Sequence, residues 1–154
     1  MIGRSRVTEA VRVMVATATG KPCGRGRLPL VGGRPALLPY TVLYAQGGPI
    51  DGAPFADRSE DGRLVYQVTV VAARTDQGEW LADRVRDAFL ERTAAGDWQH
   101  PIQVPGVDVW ARELLVDDGV DPASTEDGVV TAVQRYELSA TDCGGLTSAP
   151  CVRA

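Results

Sequence analysis

The stretch Arg63–Ala73, RLVYQVTVVAA, limits the choice of fold more than any other part of the chain. β-Branched and aromatic residues dominate it, and side chains alternate across a strand, so Leu64, Tyr66, Val68 and Val70 share one face while Val65, Gln67, Thr69 and Val71 share the other. One face is apolar and the other mixed. A sheet built from such strands carries helices on one side and meets a partner or water on the other.

Two segments supply those helices. Val7, Ala10, Val11, Met14 and Val15 fall at helical spacing after Ser5, a capping residue, and before Gly20, a natural stop, which predicts a helix over 5–19. Asp76 and Glu79 form a D-x-x-E pair ahead of the stripe Leu81, Val85, Ala88 and Phe89, which predicts a second helix over 76–94 closed by Gly96. Trp80 falls just off that stripe, a place from which it packs on the sheet edge. Tyr40–Ala45, Val107–Val116 and Val129–Ser139 read as further strands, although the alternation of the second is imperfect. The Gly- and Pro-dense segment 20–39 reads as an ordered connector with at most a short strand near Leu28–Val31. Residues 46–61 and 117–128 read as long loops, and 140–154 as a tail. The expected fold is α+β: a mainly antiparallel four-stranded sheet in the order αββαββ, with two helices on one face and one domain over 1–139.

Charge is unevenly spread. The net value is −4, yet residues 1–34 carry seven cations against one anion and the other 120 residues hold a net −10. Such an acidic total argues against a general nucleic-acid coat. Opposite patches on one surface suit head-to-tail contact between copies, the geometry that closes into rings. No run approaches the length of a membrane span, and Arg4, Arg6 and Glu9 come too early for a secretory signal.

Reactive groups are sparse. The three cysteines, Cys23, Cys143 and Cys151, lack metal-site or disulfide-framework spacing and read as free thiols. Cys23-Gly-Arg-Gly-Arg27 contains G-x-G but follows a helix, the wrong context for a dinucleotide loop. His100, the only histidine, has no evident nucleophile to serve. Counted from Asp117, a calcium loop would need Gly at its sixth place and Glu at its twelfth, where Pro122 and Gly128 stand. The acids of this loop, Asp117, Asp118, Asp121, Glu126 and Asp127, read as a solvated or protein-facing patch. The residues indicate no catalytic centre, no metal and no cofactor.

The segment Leu64-Val-Tyr-Gln-Val-Thr-Val-Val-Ala-Ala-Arg74, continuing through Asp76-Gln77 and Trp80-Leu-Ala-Asp-Arg-Val-Arg86, resembles the tail terminator proteins of long-tailed, lambda-type phages that infect actinobacteria. Gly26-Arg-Leu-Pro29, Pro39-Tyr-Thr-Val-Leu-Tyr44 and Pro105-Gly-Val107 resemble the same family in the same order, and the likeness covers roughly residues 7–139. It implies a small α+β subunit of a six-fold ring in the virion, assembled in the host cytoplasm. That ring would sit on the tail tube, stop its polymerisation and offer a docking surface to head-completion proteins, with DNA only passing through the lumen. It also implies no reaction and no cofactor. The alternatives are a head–tail connector or tail-completion protein and, in a different class, a small cytosolic enzyme using Cys23 or His100. The residues expected at the ring interface are Arg25 and Arg27 from the basic end, and Asp51, Phe55, Asp57 and Arg58 from the 46–61 loop.

Overall fold

The structure is a computed structural model and describes residues 2–51, 60–121 and 128–143. In chain order its elements are α1 (Arg4–Thr19), β1 (Cys23–Arg25), β2 (Leu30–Val31), β3 (Arg34–Pro35), β4 (Tyr40–Gly47), β5 (Ile50–Asp51), β6 (Glu60–Ala72), α2 (Thr75–Leu90), β7 (Val107–Asp121) and β8 (Val130–Asp142). The main sheet runs β1-β4-β6-β8-β7, with β5 continuing along β6 beyond the end of β4, and β2 and β3 form a separate hairpin. β1 lies parallel to β4, whereas β4, β6, β8 and β7 pair antiparallel.

The expected four-stranded, mainly antiparallel sheet in the order αββαββ is therefore corrected to a mixed six-stranded sheet with a two-stranded one beside it, within an α+β fold of two helices. The difference arises in segments whose Gly and Pro content suggested connectors. Proline removes a ladder donor and is tolerated at sheet edges, so Pro22, Pro29, Pro35 and Pro39 shorten the strands of the 20–39 segment to two or three residues without abolishing them. In the 46–61 segment, β4 runs on to Gly47, β5 pairs with β6, and β6 begins at Glu60. Residues 117–121, expected as loop, extend β7, and β8 passes the expected domain limit to reach Asp142.

Both helices start differently from the expectation. Ser5 is no cap: α1 starts at Arg4, and the Gly3 carbonyl accepts the first bonds, from the Arg6 and Val7 amides. Ile2 and Val7, both in the core, occupy the positions of a hydrophobic staple around that start. At α2 no side chain caps the helix; Asp76 instead pairs with Arg74 at 3.0 Å, and the Gln77 side chain accepts the Ala73 amide. α2 ends at Leu90 rather than 94, because Glu91 turns extended and its carbonyl accepts the Gln99 amide. None of the helices among the described residues is long and apolar enough to cross a membrane.

Both helices cover one face of the sheet. Val7, Val11 and Val15 of α1 and Leu81, Val85 and Phe89 of α2 are fully buried with Leu43, Val68, Val70, Tyr136 and Leu138 of the strands. Phe89 stacks on Tyr136 with ring centroids 3.9 Å apart, and the Tyr136 hydroxyl donates to Gln134 Oε1 at 2.9 Å. Gln134, also fully buried, passes its amide protons to the Ala82 carbonyl and to Asp117. This polar chain is satisfied, as a buried one must be. Trp80 stays 43% exposed, with Lys21 and Arg84 at 5.9 and 5.4 Å from its ring.

Candidate functional site

The sheet order carries the uneven charge to opposite edges. β1 is one edge strand, preceded by Lys21 and followed by the β2–β3 hairpin. Residues 20–39, which span both, hold Lys21, Arg25, Arg27 and Arg34 and no acid. β7 is the other edge, with Asp108, Glu113, Asp117, Asp118 and Asp121 on it; its one cation, Arg112, is buried. Arg27, Arg34, Glu113 and Asp118 are exposed and have no ion-pair partner among the described residues.

The basic edge is a cleft rather than a flat strand. Its volume is about 760 Å³, and it runs along β1 between α1 (Arg12, Ala16) and the chain from Arg27 to Val31. Arg12 holds one wall, paired with Glu9 at 2.7 Å and donating to the Cys23 carbonyl. Arg25 donates to Ser5 Oγ at 3.1 Å. The other wall is apolar and open to solvent: Leu30 is 59% and Val31 57% exposed. Gly24 makes the close crossing possible, since a Cβ there would lie 2.0 Å from the Arg27 carbonyl oxygen.

The acidic edge is irregular in a regular way. β7 slips its register against β8 between Val109 and Ala111, between Leu114 and Val116, and between Asp117 and Val120. The extra residues at the first two slips are Trp110 and Leu115, the two most exposed large apolar residues of the strand. A bulge re-aims side chains and interrupts the ladder, so the first two slips each turn an apolar residue outward and all three leave the edge unsuited to simple strand addition. Leu115 emerges with Glu113 and Asp117 exposed on either side.

The two edges are level with each other. Arg25, Leu43, Val68, Gln134 and Asp117 form one row of paired residues across all five strands. Of the residues expected at an interface, Arg25 and Arg27 lie together at the basic edge. Asp51 does not join them: it pairs with Asp61, seven residues from Val68 along β6, or about 23 Å at the usual rise of a strand. Phe55, Asp57 and Arg58 lie outside the described residues, as do Glu126 and Asp127. Glu113, Leu115 and the apolar hairpin were missed. The one sequence signal for Glu113 and Leu115 was the broken alternation of VDVWARELLV, which falters at Trp110-Ala111 and Leu114-Leu115, where the bulges are.

Cys23 and His100 are not brought into one site. Cys23 is buried beside the β1 cleft, and burial pushes its thiol up, the reverse of the shift that activates a nucleophile. His100 lines a different cleft of about 750 Å³, between α1 and residues 100–105, and its ring lies 3.4 Å from Glu91. Its carbonyl accepts from Arg112, which also bonds the Phe89 carbonyl at the end of α2. The Trp98 ring has the Arg92 guanidinium 3.7 Å and the Arg112 guanidinium 4.5 Å from its centroid. Burial, with Arg92 nearby, pushes Arg112 down to about 10, so it remains charged at neutral pH and anchors the 91–106 segment. The expectation of free thiols is corrected for Cys143. It is held in a disulfide, and its amide bonds the Gly106 carbonyl where β8 runs on past the expected tail boundary. Among the described residues no three His, Cys, Asp or Glu side chains gather as a metal site would require.

No protein-family model matches this chain, and no curated protein matches it.

Proposed function

We propose that the chain is a structural protein of a phage virion: a tail terminator whose copies form a six-fold ring on the end of the tail tube, stop its growth and receive the head-completion proteins. The observation that carries this reading is the separation of charge across one sheet, with arginines at the β1 edge and acids at the β7 edge, joined by a single row of residues. Such a subunit has two unlike edges. An unlike pair of edges makes a heterologous contact, and a heterologous contact that closes makes a ring. The resemblance of the 64–86 segment to tail terminators adds the setting in which a ring of small α+β subunits has work to do. In this role the protein acts by shape and charge.

The test is a phage lacking the gene. Overlong or unfinished tails, restored to normal length by the protein supplied in trans, are the expected result. Tails of normal length lying beside separate heads would replace the terminator with a neck connector. Purified tubes give a second measurement, because the terminator should cap one end and block further addition of tube protein.

A further inference from the structure

Beyond the existence of a ring, the two edges differ in a way that fits one to the other. We propose that the cleft along β1 is the socket for the Leu115 bulge of a neighbouring copy. This inference rests on the ring reading and names the surfaces that make it.

The shapes are complementary in kind. The socket is a concave cleft with an apolar wall, Leu28, Leu30 and Val31, and a cationic rim, Arg25 and Arg27, beside the neutralised Arg12–Glu9 pair. The bulge turns out one apolar residue, Leu115, with the exposed Asp118 three residues further along the same edge strand. Seating it buries leucine against leucine and valine while the exposed Asp118 beside the bulge meets Arg27 at the rim. Burial removes apolar surface from water, and the charges reject a mismatched register. Neither edge offers a long flat ladder: β1 has three residues and β7 is bulged, so recognition falls to side chains rather than to added strands.

The geometry also permits repetition. Arg25 and Asp117 end the same row, so a neighbour displaced along that row presents its acids level with the socket. The five strands span about 19 Å at the usual spacing between strands, so the step from copy to copy is that width plus the separation across the contact. The right-handed twist usual for strands turns successive copies relative to one another instead of leaving them in a flat line.

Sedimentation and native mass spectrometry of the full-length chain, alone and with purified tail tubes, test the socket. Arg27→Glu and, separately, Asp118→Arg should each weaken self-association at least tenfold, and combining them should recover most of the loss. Leu115→Asp should weaken it at least as much. Far-ultraviolet circular dichroism and thermal melting must match the parent chain, which is expected because all three residues are exposed. Rings that form with parental affinity in all three single variants would overturn the socket and leave the ring intact. A parent chain that stays monomeric both free and on tubes would overturn the ring reading, and the socket with it.

Discussion

β8 has two neighbours, and they treat it differently. Against β6 it pairs over thirteen consecutive residues with no slip. Against β7 it slips three times in a similar length. The regular side belongs to the centre of the sheet, where Tyr66, Val68 and Val70 face Tyr136, Gln134 and Ala132 beneath the helices, and any slip of one residue would turn the whole apolar set outward. The irregular side belongs to the edge. There a slip costs little packing and places an apolar residue on the surface. Packing fixed the register of the one pair; exposure left that of the other free to serve contact.

The contrast makes quantitative expectations. Leu138→Ala, in the regular ladder and fully buried, should cost about 3 kcal/mol in chemical denaturation, from lost transfer energy and the cavity left behind. A loss under about 1 kcal/mol would mean that the centre is less tightly packed than its burial indicates. Gly24→Ala should cost about 2 kcal/mol, because its Cβ would meet the Arg27 carbonyl oxygen and the backbone must move. That loss should come with faster amide exchange over 26–36 and little change in β6 or β8. Leu115→Ala, at the second slip, should change stability by less than about 0.5 kcal/mol although it too removes a leucine side chain from a strand of this sheet. A cost like that of Leu138→Ala would show that Leu115 supports the fold and would remove it from the contact surface.

The smallest effect lies at the outer wall of the socket. Arg12 holds the Glu9 carboxyl below the usual glutamate range, chiefly through their hydrogen bond. Because the folded value is the lower one, the contribution is present above the ordinary glutamate range and fades as the pH falls through the folded value. With Glu9 half exposed, solvent screens most of the pair, and Glu9→Gln should lower stability at neutral pH by no more than about 0.5 kcal/mol. The difference between parent and variant should vanish in acid.

Patterns carried by neighbouring residues were readable without coordinates. The alternation of Arg63–Ala73, the helical stripes of α1 and α2 and the stop at Gly20 each depend on residues a few places apart, and each corresponds to an element of the fold. Capping was misread at Ser5 and Asp76, because each stands inside the first turn of its helix, where its side chain meets an arginine, Arg25 and Arg74, instead of the helix end. The short strands β1, β2, β3 and β5 were hidden because two or three residues hold too little periodicity to detect, and their ladder partners are far away in the chain or across a turn.

The candidate surface divides along the same line. That residues 1–34 are basic and the remainder acidic follows from counting residues. That these charges occupy opposite edges at one level depends on the strand order β1-β4-β6-β8-β7 and its registers, and so on hydrogen bonds between residues such as Leu43 and Val68, or Val68 and Gln134, far apart in the chain. Leu115 is the sharpest case. Nothing in its own chemistry distinguishes it from Leu114 beside it; only the pairing with β8 decides which leucine packs against the core and which is turned outward.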